Sequence, residues 1–236
     1  MNAACKRPYL WLVGLMALVG LAADQASKYV VFTQLYPGGH HEIVAGNFEL
    51  RAAYTHVVDP GDQPLSFLRT ISGERLPHVN KGALFGIGNG DGVQDGGEEE
   101  RRENTGWNTF FACVSLAAAL FIVFWVSRPA VAQDRFLCLA LGLILAGTLG
   151  NLYDRIVFSG VRDFLHCYYA TIDAEGKSLL HNWPDFNIAD CCLVCGAGIL
   201  LIHSFFVGEM ATEPAQAEVA AQPATPLQTT TPAGGV

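Results

Sequence analysis

The stretch FLCLALGLILAGTLGNLYDR, residues 136–155, decides the fold of this chain. Its apolar part approaches the length at which a helix crosses a lipid bilayer, which is about 20 residues. Its end places Asn151, Asp154 and Arg155 at the edge of that span. Ionisable groups are costly in a bilayer, so those that stand at the end of a membrane helix are candidates for function.

Four apolar segments of the chain approach or reach the length of a membrane span. Hydrophobic residues make up 51% of the sequence and charged residues only 15%, a balance typical of a membrane protein with polar segments. A secretory signal peptide is the alternative for residues 1–23, because Lys6 and Arg7 precede an apolar core that ends in small residues. We predict an all-α polytopic membrane protein with four transmembrane helices, at about 9–31, 107–126, 136–153 and 188–207.

The polar segments separate and follow these spans. Residues 32–106 form a predicted extracytoplasmic insert between the first two spans, and the β-branched and aromatic residues within 48–58 predict a strand there. Residues 89–100 are an acidic, glycine-rich loop that does not meet the spacing of a calcium-binding EF-hand. We predict one membrane domain over residues 1–210, followed by a disordered cytoplasmic tail over 211–236.

The distribution of lysine and arginine predicts the membrane face of each chain end. Basic residues precede the first span and lie in the short loop between the second and third: Lys6, Arg7, Arg128 and Arg135. Short basic loops stay on the cytoplasmic side, so we predict that both termini are cytoplasmic. Asp24, Asp154 and Asp190 would then all reach the outer face of the membrane.

Two asparagine–aspartate pairs adjoin different apolar segments, Asn151 with Asp154 and Asn187 with Asp190. A spacing of three residues puts each pair on one helix face. Two carboxylates brought together from different segments indicate a dyad for proton transfer. Each acid also has a simpler interpretation, because Arg155 could neutralise Asp154 and Asp190 could compensate the dipole of the fourth helix.

Other polar residues give weaker signals. Asp24 and Lys28 have the i, i+4 spacing of a helical ion pair, which by itself indicates an interfacial salt bridge. Asn80 and Gly82 lie in a loop with an aromatic residue, which alone indicates an ordinary turn. Asp163, taken singly, is interpreted as a solvated loop acid.

Several classes of function lack their sequence motifs. The seven cysteines form no zinc-ligand set, and their odd number argues against a disulfide framework. The chain has no Gly-x-Ser-x-Gly motif, no His-Glu-x-x-His motif and no glycine-rich nucleotide loop. A basic stripe interleaved with aromatic residues, the signature of a nucleic-acid interface, is also missing from the sequence. We predict neither a metal nor a cofactor.

Five ordered blocks of the sequence resemble those of the signal peptidase II family, the bacterial lipoprotein signal peptidases. They are Asp24-Gln-Ala-Ser-Lys28, Asn80-Lys-Gly-Ala-Leu-Phe85, Gly150-Asn-Leu-Tyr-Asp-Arg155, Val161-Arg-Asp-Phe164 and Trp183-Pro-Asp-Phe-Asn-Ile-Ala-Asp190. The resemblance covers residues 8–207. Leu84 stands where the family usually has a small residue, and the stretch between 48 and 80 is longer than usual.

The resemblance implies an intramembrane aspartic endopeptidase of the bacterial cytoplasmic (inner) membrane, with its active site at the outer face. Such enzymes remove the signal peptide from diacylglyceryl-modified prolipoproteins, cutting just before the lipidated cysteine. The expected partners are therefore lipidated prolipoproteins and membrane lipids, together with globomycin-type inhibitors. The resemblance implies catalysis by Asp154 and Asp190. It implies substrate binding or support of the dyad for Asp24, Lys28, Asn80, Gly82, Asn151, Arg155, Asp163 and Asn187.

Two close carboxylates are expected to share one proton near neutral pH, because both cannot ionise cheaply. We predict that Asp190, near the start of the fourth span, is the base, and that Asp154, near the end of the third, is the acid. A small transporter or channel with polar residues along its path is the alternative from another class. A binding protein that holds lipoproteins without cutting them is a third possibility.

Overall fold

The computed structural model describes residues 7–62, 64–82, 98–172 and 176–220. Within these residues, four helices are long and apolar enough to cross a membrane: Leu10–Gln34, Gly106–Val126, Arg135–Val157 and Ile188–Phe206. They confirm the four predicted spans, and their bounds lie within a few residues of the predicted ones. The protein is therefore a helical, polytopic membrane protein with added β-structure.

The helices are numbered in chain order. They are α1 (Leu10–Gln34), α2 (Ser66–Arg69), α3 (Glu98–Val126), α4 (Pro129–Ala132), α5 (Arg135–Val157) and α6 (Ile188–Ala220). α5 begins where the Asp134 carboxylate accepts hydrogen bonds from the backbone N–H groups of Phe136 and Leu137, at 2.9 and 3.0 Å. This N-cap pairs donors that the first turn of a helix cannot satisfy internally.

α5 is the central span of the helical part. Of the residues in its apolar stretch, 56% are buried, whereas the buried share is 22% in α1, 17% in α3 and 11% in α6. Glycine makes close packing possible, because a Cβ on Gly147 would overlap the carbonyl oxygen of Ala189 on α6. Small residues at such contacts let helix backbones approach one another, so the polar ends of α5 and α6 lie side by side.

In the part of the chain that the structure describes, two antiparallel sheets lie outside the spans. The first contains β1 (Gly39–Val44), β2 (Phe48–Ala52), β5 (Leu165–Ile172) and β6 (Ser178–Asn182), in the spatial order β1-β2-β5-β6. The second pairs β3 (Tyr54–Val58) with β4 (Arg75–Pro77). The strand predicted within residues 48–58 is thus two strands, which separate at Ala53 and enter different sheets.

A buried apolar cluster fixes the first sheet against the end of α1. It contains Val31, Phe32, Ala52, Phe164 and Leu165. β2 and β5 meet within this cluster, with Leu50 opposite Leu165 in the register. β5 and β6 add β-structure between the third and fourth spans, where no strand was predicted. The cluster places the segment around residue 163 over the ends of the spans.

α6 remains helical to Ala220, beyond residue 211, where the sequence predicts the start of a disordered tail. Alanine and glutamate, which favour helices, are frequent in this stretch. Residues 221–236, Leu84 and most of the predicted acidic loop lie outside the described residues.

Candidate active site

A cavity of about 1200 Å³ is lined by the first sheet, by α3, α5 and α6, and by loops between them. Part of the lining is apolar and comes from inside the spans: Phe111, Val114, Ala118, Leu193 and Val194. Another part is polar and comes from helix ends and loops: Asn80, Asn151, Arg155, Asp163 and Asp190. An apolar cavity with a few convergent polar groups is the usual form of a ligand site.

Asp190 enters the cavity from the first turn of α6. Its backbone N–H donates to the side-chain oxygen of Asn187, and the Asn187 backbone N–H donates to the Asp190 carboxylate, both at 3.1 Å. This reciprocal arrangement is a capping box. The Asn151 side-chain amide donates a further hydrogen bond to Asp190, at 2.9 Å. The positive end of the helix dipole favours the ionised form of this carboxylate.

Asp163 lies in the loop after α5, and its carboxylate faces the same group of amides. It accepts hydrogen bonds from Asn187 at 2.7 Å and from Asn80 at 3.1 Å. Burial, together with the neighbouring Asp190 charge, raises the pKa of Asp163 to about 7. Asn187 therefore contacts both acids, one through its side chain and the other through its backbone.

Two short backbone bridges hold the Asp163 segment in position. Asn80 and Val161 exchange two backbone hydrogen bonds of 2.8 Å. Leu165 and Phe186 form a second antiparallel bridge, at 2.9 and 3.1 Å. The first bridge ties the loop that carries Asp163 to the Asn80 loop, and the second ties it to the loop that leads into α6. The separation of Asp163 from Asp190 is thus set by backbone pairing on both sides.

Asp154 occupies a different, sealed environment. Its side chain has 0% exposure and forms ion pairs with Lys28 at 3.3 Å and with Arg162 at 2.9 Å. The Arg162 backbone N–H also donates to it, at 2.9 Å, and Gln25 adds an amide at 3.2 Å. Asp154 is not among the residues that line the cavity.

Asp24 completes this buried network. Its carboxylate pairs with Lys28 at 2.9 Å, which agrees with the predicted i, i+4 ion pair. Its other oxygen accepts the backbone N–H of Ala189 at 2.9 Å, so an acid on α1 caps the start of α6. The network thus contains two acids and two cations, so its charges balance, and it joins α1, α5 and α6. Its members are Asp24, Asp154, Lys28 and Arg162.

A family model described as signal peptidase (SPase) II matches residues 16–206 of this chain. The chain belongs to the signal peptidase II family. The resemblance inferred from the five sequence blocks is therefore confirmed, and family membership makes the protein a multi-pass membrane peptidase.

Individual relatives and solved structures agree with membership of the signal peptidase II family. The lipoprotein signal peptidase of Maridesulfovibrio salexigens is 29% identical over 196 residues, covering 83% of this chain and 96% of that protein. The one from Pseudoalteromonas translucida is 38% identical over 101 residues, which is 42% of this chain and 55% of that protein. A solved structure of a bacterial membrane enzyme, at 22% identity, has the same fold, with a TM-score of 0.53 and coverage of 82% and 87%.

The geometry of this signal peptidase II chain differs from the predicted pairing of Asp154 with Asp190. Asp163, predicted only as a supporting residue, shares the cavity with Asp190, while Asp154 lies in the network of cations. Arg162 accounts for the difference, and no role was predicted for it from the sequence. Its guanidinium stacks on the rings of Tyr29 and Phe158, at 4.3 and 3.9 Å, which directs it towards Asp154.

Arg155 also contacts partners other than Asp154, the partner considered for it from the sequence. It does not neutralise Asp154 but donates to the Gly82 carbonyl at 2.8 Å and, more weakly, to the Lys81 carbonyl at 3.4 Å. The Gly82 N–H in turn donates to the Asn80 side chain at 3.0 Å. Arg155 therefore holds the loop that presents Asn80 to Asp163, and it lines the cavity.

Proposed function

We propose that the protein removes the signal peptide from lipid-modified prolipoproteins, and that Asp163 and Asp190 are its catalytic dyad. Relatives that match more than 80% of the chain are named lipoprotein signal peptidases. The observation that carries the proposal is the joint position of Asp163 and Asp190 in one cavity, with Asn187 bonded to both. Family membership supports the peptidase reaction, and this geometry supports the choice of residues.

The surroundings of Asp154 argue against a role for it in proton transfer. A catalytic acid or base must reach water and substrate, and it must change its protonation state during the reaction. Asp154 is closed to solvent, and protonating it would leave Lys28 and Arg162 with one uncompensated charge. Its role in the proposal is to hold together the helices that carry the dyad.

The mechanism follows from two acids that share one proton. Asp190, at the positive end of α6, is the ionised member, and Asp163, with a pKa of about 7, is the protonated member. Water attacks the scissile carbonyl carbon while its proton passes to Asp190. The Asp163 proton is hydrogen-bonded to the oxyanion that forms. The C–N bond then breaks as the leaving amine receives a proton from the dyad.

The lining of the cavity fits a substrate that is partly lipid. Apolar residues from the spans, including Phe111 and Val194, suit acyl chains and the signal peptide. His40, Arg51 and Trp183 line the cavity near the sheet, where the mature part of the substrate would leave. The scissile bond before the lipidated cysteine would then lie beside Asp163 and Asp190. We also propose that globomycin-type compounds inhibit the protein. In this proposal the site lies at the outer face of the inner membrane.

The test compares cleavage of a purified lipidated prolipoprotein by the parent and by three variants, Asp163→Asn, Asp190→Asn and Asp154→Asn. We expect the first two to bind the substrate and to lose at least about 100-fold in cleavage rate, since each removes a group that transfers a proton. Asp154→Asn should instead lower stability, with the folded fraction still able to cut.

Two results would contradict the proposal. Cleavage by Asp163→Asn, together with a folded but inactive Asp154→Asn, would return the assignment to Asp154 and Asp190. Failure of the parent on several lipidated substrates would favour a transporter or a protein that holds lipoproteins without cutting them.

A further inference from the structure

Residues 53–62 and 64–78 form a unit that contains β3, α2 and β4 and is called the insert unit here. The His78 N–H donates to the Ala53 carbonyl at 2.8 Å and closes its base. Asp59 stabilises its interior, because it accepts hydrogen bonds from Ser66 at 2.9 Å and from Gly61 at 3.0 Å. The insert unit is therefore a small folded element rather than an open loop.

The insert unit rests against the outer part of α1. The Tyr29 hydroxyl donates to the Leu68 carbonyl at 3.2 Å, and the Thr33 hydroxyl donates to Ser72 at 3.3 Å. Because a helix rises about 1.5 Å per residue, Tyr29 lies about 8 Å below the end of α1 at Gln34. An element that touches a membrane helix at this depth lies at the boundary between headgroups and acyl chains.

The side of α1 that meets the insert unit includes a lipid-facing stripe. Ala26, Val30 and Thr33 are exposed along α1 and follow the i, i+4, i+7 spacing of one helix face. Thr33 belongs to this stripe and bonds Ser72, which is the neighbour of Ile71 in the insert unit. The lipid-facing surface of α1 therefore continues directly onto the insert unit.

The insert unit exposes large apolar side chains at the place where it meets the lipid-facing surface of α1. Phe67 has 70% and Ile71 has 56% of its surface exposed, and they stand four residues apart. The charged residue between them is turned inwards, because Arg69 is only 18% exposed and pairs with the buried Asp59 at 3.2 Å. Large exposed apolar side chains, with the charge between them paired inwards, suit the interface of a bilayer.

We propose that the insert unit is a membrane-interface anchor, which places Phe67 and Ile71 in the lipid leaflet at the end of α1. Its partner is phospholipid rather than another protein. Ala53 and His78, at its base, line the cavity, and the chain runs on from His78 to Asn80. Contact of the anchor with lipid would thus fix the depth of this rim of the cavity relative to the membrane surface.

The test uses the full chain in nanodiscs of phosphatidylethanolamine and phosphatidylglycerol. Trifluoromethyl-phenylalanine replaces one aromatic residue at a time, Phe67 in the insert unit, Phe121 in the span α3 or Tyr169 in β5. The two reference positions are exposed like Phe67, one within a span and the other on the sheet. The fluorine signal of each is measured with a lipid carrying a nitroxide near its headgroup, and separately with a soluble gadolinium chelate.

We expect the lipid nitroxide to remove the fluorine signal at position 67, as it does at position 121. The soluble chelate should remove the signal at position 169 and leave the one at position 67. If the signal at 67 follows the one at 169 instead, the insert unit stands in water and the proposal fails. Protection of 67 from both agents would also overturn it, since a protein surface would then cover Phe67. Neither readout depends on peptidase activity.

Discussion

Asp154 and Asp163 lie on either side of the turn that follows α5, and their carboxylates are in opposite surroundings. Asp154 is enclosed by Lys28, Arg162 and Gln25. Asp163 receives neutral amides from Asn80 and Asn187, with Asp190 as the neighbouring acid. Cations hold the first carboxylate in its charged form, whereas burial and a like charge favour the protonated form of the second.

The difference in surroundings is the basis for proposing two different roles for these two aspartates. A carboxylate with two cationic partners has a fixed charge, so it serves as a structural link between helices. A carboxylate beside another acid can gain or lose a proton near neutral pH, as proton transfer requires. Variants that change one environment at a time can therefore separate the two roles.

The largest expected effect on stability comes from Asp154→Asn. We expect a loss of about 3–5 kcal/mol in the free energy of unfolding, because the change leaves two buried cations with one acid between them. Denaturant unfolding in detergent measures it. Asp163→Asn is the matched control, and at pH 8 it should be at least as stable as the parent because it removes a buried negative charge. Equal losses in the two variants would erase the contrast between the two sites.

A smaller loss of stability is expected from Arg162→Lys. Lysine keeps the charge but cannot reproduce the paired contacts of the guanidinium with Asp154 or its stacking on Tyr29 and Phe158. We expect a decrease of about 1.5–3 kcal/mol in the same unfolding measurement. Arg135→Lys, at an exposed position, is the control and should change stability little. An unchanged Arg162→Lys would mean that charge alone holds Asp154.

The spans could be predicted from the sequence because each apolar segment carries its own signal of length and composition. The predicted start of the fourth span at about residue 188 agrees with the structure, which contains the capping box of Asn187 and Asp190 there. The partners of Asp154 could not be predicted in this way. Its contact with Arg162 depends on the turn after α5 and on stacking against Tyr29, a residue of another helix. Only the tertiary fold therefore distinguishes Asp154 from Asp163.

The pH dependence of stability tests the environment of Asp163 directly. Its pKa is about 7 in the folded protein, against about 3.9 for an unperturbed aspartate in an unfolded chain. Between these two pKa values the folded state binds more protons than the unfolded state. Stability should therefore fall as pH rises from about 4 to about 7. Unfolding measured across this range should show the fall in the parent. Asp163→Asn should lose this component, and an identical slope in both proteins would contradict the assignment.

The smallest effect concerns Asn80, whose amide stabilises the ionised form of Asp163 through a 3.1 Å hydrogen bond. Asn80→Ala removes this donor, so the pKa of Asp163 should rise further. If protonated Asp163 is the catalytic acid, activity declines above pH 7, and the midpoint of that decline should move upwards by about one pH unit or less in the variant. The pH profile of kcat/KM measures the shift. Asn47→Ala, at an exposed turn, is the control. A downward shift would mean that another group sets the alkaline limit, because losing an N–H donor cannot make Asp163 a stronger acid.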